Sequence, residues 1–478
     1  MWTERQPLTP SPSPRRGEEG RAGRREFLKC CAAGGLGLYP LLSLAAELND
    51  GHALAPSTTH FPAKAKNLIV IFLTGGMSHV DTFDYKPKLR SDHGKKVRER
   101  ELRDVADREF FLIGSPFEFR PRGKSGLMIS ELFPHLGELA DDLCVIRTLH
   151  TDILEHFQAT LAMHTGSATV PMPSLGSWLS YGLGTSNPNL PPYVVLAEHL
   201  PYAGAQVWDA GFLPPAHQGV RLLPGDEPIA DLKPAARSVT LQELEQVMLR
   251  DLNESHARER PADLNLRART ASFDVARGMM REAPAVSDLN AESAATLDMY
   301  GLRPGENKSF AWQCLVARRM VERGVRVVEI IDSGSNNNWD AHGDMQDHRG
   351  KARRVDQALA ALVKDLKRRG LLAESLVAIC TEFGRTPWGG SPHDKGRNHH
   401  AKAFTCLLAG AGVRGGAVYG QTDDYGINIV SEPCHVHDYH ATILHLMGVD
   451  HKRLTYRYAG RDFRLTDVHG NVLYPILA

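Results

Sequence analysis

Histidine and acidic side chains are concentrated in the C-terminal part of this 478-residue sequence, in short segments punctuated by glycine. Ten of the 22 histidines lie within the 110 residues from His342 to His451. Neutral imidazole and carboxylate groups are the usual protein ligands of zinc and related divalent metals, and both groups accept protons in catalysis. We therefore expect this part of the chain to hold most of any active site.

The first candidate pair is Asp340 and His342, which flank one residue in the segment Trp-Asp-Ala-His-Gly-Asp. This segment follows a predicted strand ending near Ile331 and a loop that is too polar for a protein core. Asp344 and His348 lie one helical turn apart at the start of the next predicted helix. The structural alternative is helix capping by the aspartates with exposed histidines, and we prefer it for the second pair.

Further carboxylates follow two other predicted strands. Glu382 comes directly after a buried strand, where a carboxylate is expensive to bury unless it is paired or binds a metal. Arg385 is either its ion-pair partner or a group that grips a phosphate or sulfate oxygen. After the first strand, Ser78 and Asp81 could be a nucleophile and a ligand, or a turn residue and a helix cap.

Two histidine segments lie further along the chain. His399 and His400 end a polar Gly-Arg-Asn-His-His loop. Because consecutive residues point in different directions, we expect only one of the two to reach a metal. In the later His-Val-His-Asp-Tyr-His segment, Asp438 is a natural N-cap, so we assign the segment mostly to structure. His437 is the strongest candidate there for an exception.

The elements that must position these residues alternate between strands and helices, which predicts an α/β fold with a largely parallel central sheet and helices on both faces. Continuous apolar runs at 66–73 and 375–381 are typical of strands buried on both faces. The segment 355–367 has apolar residues at helical spacing. Residues 225–310 are charged and mostly helical by pattern, and we interpret them as an insertion that covers the sheet or lines the cleft.

The composition excludes several classes of function. The chain has 56 basic and 56 acidic residues, so its bulk charge does not favour nucleic-acid binding. No apolar run of 18 or more residues occurs outside the N-terminus, so we expect no membrane span in the mature chain. The five cysteines after the N-terminal segment are odd in number and have no Cys-x-x-Cys spacing, so we expect no disulfide framework. Three of them lie in strand-like apolar runs, where we expect core residues.

The N-terminal segment has the pattern of an export signal. Arg24 and Arg25 are followed by Glu-Phe-Leu-Lys, which matches the twin-arginine pattern, and a weakly apolar stretch covers 32–46. We predict a twin-arginine signal and disordered leader at 1–55, a single domain at 60–478, and a location in the periplasm or cell envelope. A basic disordered tail followed by a helix is the alternative.

Several segments resemble the alkaline phosphatase/sulfatase superfamily, at 133–147, 159–166, 376–384, 407–416 and 437–448. More narrowly, the chain resembles the bacterial family named domain of unknown function 1501. The motifs that carry this resemblance include Gly-Gly-Met-Ser-His-Val-Asp from residue 75, Met-His-Thr-Gly from 163, Trp-Asp-Ala-His-Gly-Asp from 339, Glu-Phe-Gly-Arg-Thr-Pro from 382 and Gly-Arg-Asn-His-His from 396. The resemblance covers nearly everything after about residue 64. It implies an exported, alkaline-phosphatase-like α/β fold without an established activity.

The sequence departs from the active members of that superfamily at three positions. Thr74 stands where the resemblance implies a metal-binding aspartate, and His156 stands where it implies the nucleophile. Glu382 and Phe383 replace a pair of ligands, so one ligand is missing. The absence of a Cys-x-Pro-x-Arg motif argues against a formylglycine sulfatase.

We therefore predict one divalent metal, with zinc the expected ion, in a divergent site. Its expected ligands are Asp340, His342 and either His399 or His400, and Glu382 is expected to be a fourth ligand or a base.

The corresponding functional prediction is hydrolysis of a phosphate or sulfate ester, which could be a small anionic ester or one linked to a glycan. Water activated by the metal, or His156, would attack the ester. Arg385 would stabilise the anion. The competing hypothesis is a non-catalytic binding or scaffold protein on the same fold with a degenerate site. Oligomeric state is left open by the sequence.

Overall fold

A nine-stranded mixed sheet forms the centre of the computed structural model, which describes residues 54–100, 106–225, 227–229, 238–261 and 263–478. The predicted leader, except for its last two residues, lies outside the described residues. The strands of the sheet are β1 (Asn67–Phe72), β2 (Leu143–His150), β3 (Tyr193–Ala197), β4 (Val220–Leu222), β5 (Val327–Ile331), β6 (Ser375–Cys380), β7 (Phe404–Gly410), β8 (Val418–Tyr419) and β9 (Cys434–His435).

The order across the sheet is β8-β2-β7-β6-β1-β5-β3-β4, and β9 pairs with β2 beyond this path. Strand β7 runs antiparallel to both of its neighbours, β6 and β2, whereas the other pairs are parallel. The prediction of a largely parallel sheet is therefore confirmed. Five of the six residues of β1 and all six of β6 are buried, as expected for central strands covered on both faces.

Helices cover both faces of this sheet, as the alternating pattern predicted. The helices are α1 (His79–Thr82), α2 (Pro87–Ser91), α3 (Pro134–Gly137), α4 (His156–Thr165), α5 (Leu175–Leu183), α6 (Val239–Arg258), α7 (Leu264–Ser287), α8 (Ala294–Tyr300), α9 (Phe310–Glu322), α10 (Asp347–Arg368) and α11 (Val436–Leu446). One apolar core contains Trp312 of α9 and Leu359 of α10, and the other contains Trp178 of α5 and Ile443 of α11.

Smaller elements complete the described chain. Short 3₁₀ helices lie at Ala140–Asp142, Gly204–Trp208, Pro215–His217, Leu289–Ala291, Leu371–Ala373 and Tyr474–Ile476. Short strands outside the central sheet are Lys96–Glu99, Arg108–Leu112 and Trp388–Gly389 in one sheet, and the pairs Phe119–Arg122 with Leu127–Ser130, Gly384–Arg385 with His399–His400, Gln421–Thr422 with Ile429–Ser431, and Tyr456–Tyr458 with Arg461–Phe463.

The cysteines and the helices also bear on the expectations from the sequence. Five cysteines, Cys144, Cys314, Cys380, Cys406 and Cys434, are free and buried, so the core holds two more than the three predicted. Within the described ranges, none of the helices has the length and apolar character needed to cross a membrane.

The register of the three central strands places their following loops at one edge of the sheet. Phe72 of β1 is paired with Ile331 of β5 on one side and with Cys380 of β6 on the other. Because these strands are parallel, the chain leaves all three at the same level. The loops that carry Gly75, Asp340 and Glu382 therefore meet at the carboxyl edge, where ligands bind in sheets of this kind.

Candidate metal centre

The loop after β5 folds back onto the end of β1 and thereby fixes Asp340. The carboxylate of Asp332 accepts hydrogen bonds from the Trp339 indole at 2.7 Å and from the Thr74 backbone N–H at 3.0 Å. The Trp339 backbone N–H donates to the Thr74 carbonyl at 2.9 Å. The side chain of Asn338 then accepts from the Asp340 backbone N–H at 3.0 Å. Asp340 therefore stands on a loop anchored at several points.

His399 and His400 form a two-stranded antiparallel ribbon with Gly384–Arg385, in which Arg385 pairs with His399. Because side chains alternate along a strand, the two imidazoles point to opposite faces. His400 Nε2 donates to the Ile427 carbonyl at 2.8 Å, and its ring stacks on His79. His400, one of the two predicted alternatives for a ligand, therefore lies outside the centre, and His399 is the histidine that enters it.

His156 is the first residue of α4 and brings a third imidazole to the same place. Its Nδ1 atom lies 2.7 Å from Oε1 of Glu382, and its Nε2 atom lies 3.3 Å from Oδ2 of Asp340. Despite the opposing effect of burial, hydrogen bonds with these two carboxylates raise the pKa of His156. Without a metal, the two carboxylates therefore favour the imidazolium form of His156, which is protonated on both nitrogens.

Three imidazoles direct their Nε2 atoms at the carboxylate of Asp340. The Nε2 atoms of His342 and His399 lie 2.9 and 3.4 Å from Oδ1, and that of His156 lies 3.3 Å from Oδ2. The Nε2 atoms of His342 and His399 are only 3.1 Å apart. Four groups that commonly bind divalent metals are thus gathered around one point.

The other nitrogen of each ring faces an oxygen atom outside the cluster. The Nδ1 contacts are His156 with Glu382 Oε1 at 2.7 Å, His342 with Asn398 Oδ1 at 3.3 Å, and His399 with the Leu154 carbonyl at 2.7 Å. An acceptor at Nδ1 keeps the neutral ring protonated on that atom, which leaves the Nε2 lone pair pointing inward. This is the tautomer that a metal-binding histidine needs.

A divalent cation fits the geometry of this donor set. Ligand atoms of His156, Asp340 and His399 all lie within 4.8 Å of one another. Imidazole nitrogen with carboxylate oxygen suits zinc and other first-row divalent metals. His342, with 48% of its side chain exposed, lies on the solvent side and could supply a further nitrogen.

Glu382 lies behind the centre rather than among its ligands, which differs from the prediction of a fourth ligand or base. Its side chain is fully buried, and its two oxygens accept from the Gly75 backbone N–H at 2.8 and 3.0 Å. The Thr381 hydroxyl donates to Oε2 at 3.1 Å, and Oε1 also contacts His156. With both oxygens occupied, Glu382 orients the imidazole of His156.

Arg385 pairs with Asp340 rather than with Glu382. Its Nη2 atom lies 2.5 Å from Oδ1 of Asp340 and also donates to the Gly75 carbonyl. Nε donates to the Gly76 carbonyl at 2.9 Å, and Nη1 donates to the Arg397 carbonyl at 3.3 Å. The guanidinium is fully buried, so the predicted contact with a substrate anion is not available to it in this geometry.

The surroundings of Asp340 favour the ionised form of its carboxylate. Burial opposes ionisation, but hydrogen bonds with His156 and His399 and the charge of Arg385 hold the pKa of Asp340 well below its usual range. A carboxylate that stays ionised at neutral pH and faces three imidazole nitrogens offers oxygen and nitrogen ligands to a divalent cation.

Aromatic rings enclose the imidazoles. The Phe383 ring lies 4.7 Å from that of His156 and 4.5 Å from that of His399, between centroids. An apolar ring thus stands where the superfamily resemblance implies a second ligand. The ring of Tyr202 also stacks on that of His156, with centroids 4.1 Å apart and the rings 10° from parallel. No sequence motif pointed to Tyr202, because only the tertiary fold brings it to His156.

The upstream candidates Ser78 and Asp81 are structural, but Asp81 is not the helix cap of the alternative. Ser78 is the N-cap residue of α1, and Asp81 lies within that helix. The Ser78 hydroxyl donates to Asp81 at 2.6 Å, and Asp81 forms a fully buried ion pair with Arg397 at 2.7 Å. His348 is fully buried rather than exposed as the preferred alternative had it, and it accepts from the Ser78 backbone N–H at 3.2 Å, so it also belongs to this buried network.

The late histidine segment is structural as well. His435, rather than the predicted Asp438, is the N-cap of α11, and Asp438 completes a capping box from the first turn. His437 Nε2 donates to the Gly166 carbonyl at 2.9 Å. Neither histidine approaches Asp340 closely enough to join the metal-binding group found among the described residues.

The sheet and the convergent imidazoles define an α/β protein with a candidate metal centre at the carboxyl edge of its sheet. The chain belongs to the family described as "Protein of unknown function (DUF1501)", whose model matches residues 65–477. This match confirms the family resemblance of the sequence. No curated protein matches the chain.

Several solved structures are similar to this chain at low sequence identity. They include the lipoteichoic acid synthase LtaP from Listeria monocytogenes, with 9% identity and a TM-score of 0.37, covering 88% of this chain and 79% of the other. The PsFucS1 sulfatase from Pseudoalteromonas sp. has 14% identity and a TM-score of 0.36, covering 80% and 68%. A magnesium-bound mutant of TAB5 alkaline phosphatase has 11% identity and a TM-score of 0.31, covering 76% and 96%.

Proposed function

We propose that the protein is a hydrolase of phosphate or sulfate esters that uses one divalent metal, with zinc the expected ion. The ligands in this proposal are His156, Asp340 and His399, and His342 lies beside them as a fourth donor. The observation that carries the proposal is the orientation of the imidazoles. All three turn Nε2 toward one carboxylate, while each Nδ1 is engaged by an oxygen atom outside the cluster.

Divalent metals supply Lewis-acid chemistry to hydrolases, polarising the bond to be broken and making water a stronger nucleophile at neutral pH. The chain supplies the positioning. Glu382 fixes the tautomer and orientation of His156, and Arg385 holds Asp340 against the end of β1. His342 is half exposed, so a substrate approaching from solvent meets its ring first. The proposal assigns His156 to metal binding rather than to nucleophilic attack, because both of its nitrogens face other groups.

The substrate class in this proposal follows the sulfatase-like segments of the sequence. These favour a small anionic ester or an ester linked to a glycan. The centre itself favours an anion, because the two positive charges of a divalent cation exceed the single negative charge of Asp340, and the charges of Arg385 and Glu382 cancel.

Metal analysis and an ester panel test this function. We expect one equivalent of metal in purified protein, and metal-dependent hydrolysis of aryl phosphates or aryl sulfates. Protein without stoichiometric metal, even after incubation with zinc, would show that the centre does not form. Stoichiometric metal without hydrolysis of any ester would favour the binding or scaffold alternative.

We also propose export through the twin-arginine pathway, with the mature protein in the periplasm or cell envelope. The support is the Arg-Arg-Glu-Phe-Leu-Lys sequence followed by a weakly apolar stretch, residues that lie outside the described part of the chain. The variant Arg24→Lys with Arg25→Lys should remain in the cytoplasm of a host that has this pathway. Equal export of the variant and the natural sequence would contradict the proposal.

A further inference from the structure

Tyr202 stacks on the ring of His156, and its hydroxyl is held by a hydrogen bond. The stacking of the two rings at 4.1 Å places the phenol beside the centre. The Tyr202 hydroxyl oxygen lies 3.0 Å from Nδ2 of Asn338, the residue that also binds the Asp340 backbone. Tyr202 is partly exposed, so a ligand entering from solvent can reach it.

The hydrogen bonds of Asn338 determine the role of the Tyr202 hydroxyl. Oδ1 of Asn338 accepts from the Asp340 backbone N–H at 3.0 Å, and Nδ2 donates to the Gly334 carbonyl at 3.1 Å. These two backbone groups fix which end of the amide is the oxygen. In this contact Nδ2 is therefore the donor and the phenol oxygen is the acceptor. The phenolic O–H group remains free to donate, and no residue in the described part of the chain accepts from it.

Arg385, which the sequence predicted to stabilise the substrate anion, does not offer a hydrogen-bond donor to an anion at the centre. Four N–H groups of Arg385 go to Asp340 and to three backbone carbonyls. The Arg385 side chain is also fully buried, so the guanidinium has no donor exposed to solvent. A hydrolase for anionic esters needs a donor aimed at the oxygen on which negative charge is held.

We propose that Tyr202 donates its phenolic hydrogen bond to an anionic oxygen of the phosphate or sulfate group bound at this centre. The inference rests on the proposed function and names a substrate-binding residue for it. The hydrogen bond from Asn338 fixes the position of the hydroxyl oxygen, and stacking on His156 fixes the ring. The donor is therefore oriented before the ligand binds.

The variant Tyr202→Phe tests this role because it keeps the ring stack and removes only the hydroxyl. Zinc affinity and inorganic phosphate affinity of the zinc-saturated protein would be measured separately by titration calorimetry. We expect zinc affinity within about twofold of the natural protein and phosphate affinity lower by about tenfold, as for loss of one hydrogen bond to a charged group. Where an ester is hydrolysed, kcat/KM should fall by a similar factor without loss of metal.

Tyr425→Phe is the matched control, because its hydroxyl bonds to Asp92 outside the centre. This variant should bind zinc and phosphate as the natural protein does. Equal phosphate affinity for Tyr202→Phe and the natural protein would overturn the inference. A loss of zinc affinity in Tyr202→Phe would overturn it too, since the hydroxyl would then only support the centre. If the natural protein binds zinc but not phosphate, the inference fails while the metal centre stands; if it binds no zinc, the proposed function itself fails.

Discussion

The Nδ1 atom of His156 lies 2.7 Å from Oε1 of Glu382, a carboxylate that is fully buried and also held by the Gly75 backbone. This pair determines which nitrogen of His156 carries the proton. Carboxylate–histidine pairs of this kind orient a metal ligand and raise its basicity. In this protein the carboxylate comes from the end of β6 and the histidine from the start of α4, so the pair also ties the helix to the sheet.

Glu382→Gln should therefore weaken metal binding. The Gly75 N–H would hold the amide oxygen, so the amide NH₂ would face His156 and force its proton onto Nε2. We expect metal affinity to fall about 10–100-fold, measured by competition with a chromophoric chelator. Glu374→Gln is the control, because the Glu374 side chain pairs with Lys66 at the surface, away from the centre. Unchanged affinity in Glu382→Gln would mean that His156 is not a ligand.

The neighbours His399 and His400 provide a matched pair of substitutions. His399→Ala removes a ligand and should abolish stoichiometric zinc binding. His400→Ala should retain zinc but lose about 1–3 kcal/mol of unfolding free energy, because its buried bond to the Ile427 carbonyl and its stack on His79 are lost. Zinc content and urea denaturation measure the two effects. Loss of zinc binding in His400→Ala, with zinc binding retained in His399→Ala, would contradict the position of His399 in the centre.

Arg385→Met should destabilise the fold. The substitution leaves Asp340 without its cation and removes the donors of three carbonyls in a fully buried place. We expect a loss of about 3–5 kcal/mol in unfolding free energy, part of which saturating zinc should restore by neutralising Asp340. The exposed pair of Arg457 with Asp462 gives the control, since Arg457→Met should cost less than about 1 kcal/mol. Chemical denaturation with and without zinc measures both effects.

Asp332 makes stability depend on pH. Burial raises its pKa from 3.8 to about 6, although hydrogen bonds from Trp339 and Thr74 oppose the shift. Between these values the folded protein holds a proton that the unfolded chain has released, so stability falls as pH rises toward 6. Asp332→Asn should remove this contribution, which amounts to about 3 kcal/mol across the interval.

The measurement for Asp332 is the unfolding free energy at several pH values from 4 to 7, compared between the natural protein and Asp332→Asn. The natural protein should lose stability relative to the variant as pH rises. Asp462→Asn, at an exposed pair, should leave the slope unchanged. Parallel curves for the natural protein and Asp332→Asn would show that Asp332 has an ordinary pKa in the fold.

The sequence alone determined the α/β class and much of the candidate centre. Apolar runs ending in polar residues identified the strands. Ligand types, together with the superfamily resemblance, indicated that Asp340, His342 and one of two adjacent histidines lie together. Those inferences hold because strand burial and ligand chemistry are local properties, readable from composition and spacing.

The tertiary structure decided the role of each residue. Pairing of the Gly384–Arg385 strand with His399–His400 chose His399, because a strand presents only one of two consecutive side chains to a given face. Contacts between distant segments pair Glu382 with His156 through a hydrogen bond and Arg385 with Asp340 through an ion pair. Tyr202 carries no local signal at all. Such roles depend on contacts between segments far apart in the chain, and spacing along the sequence does not encode them.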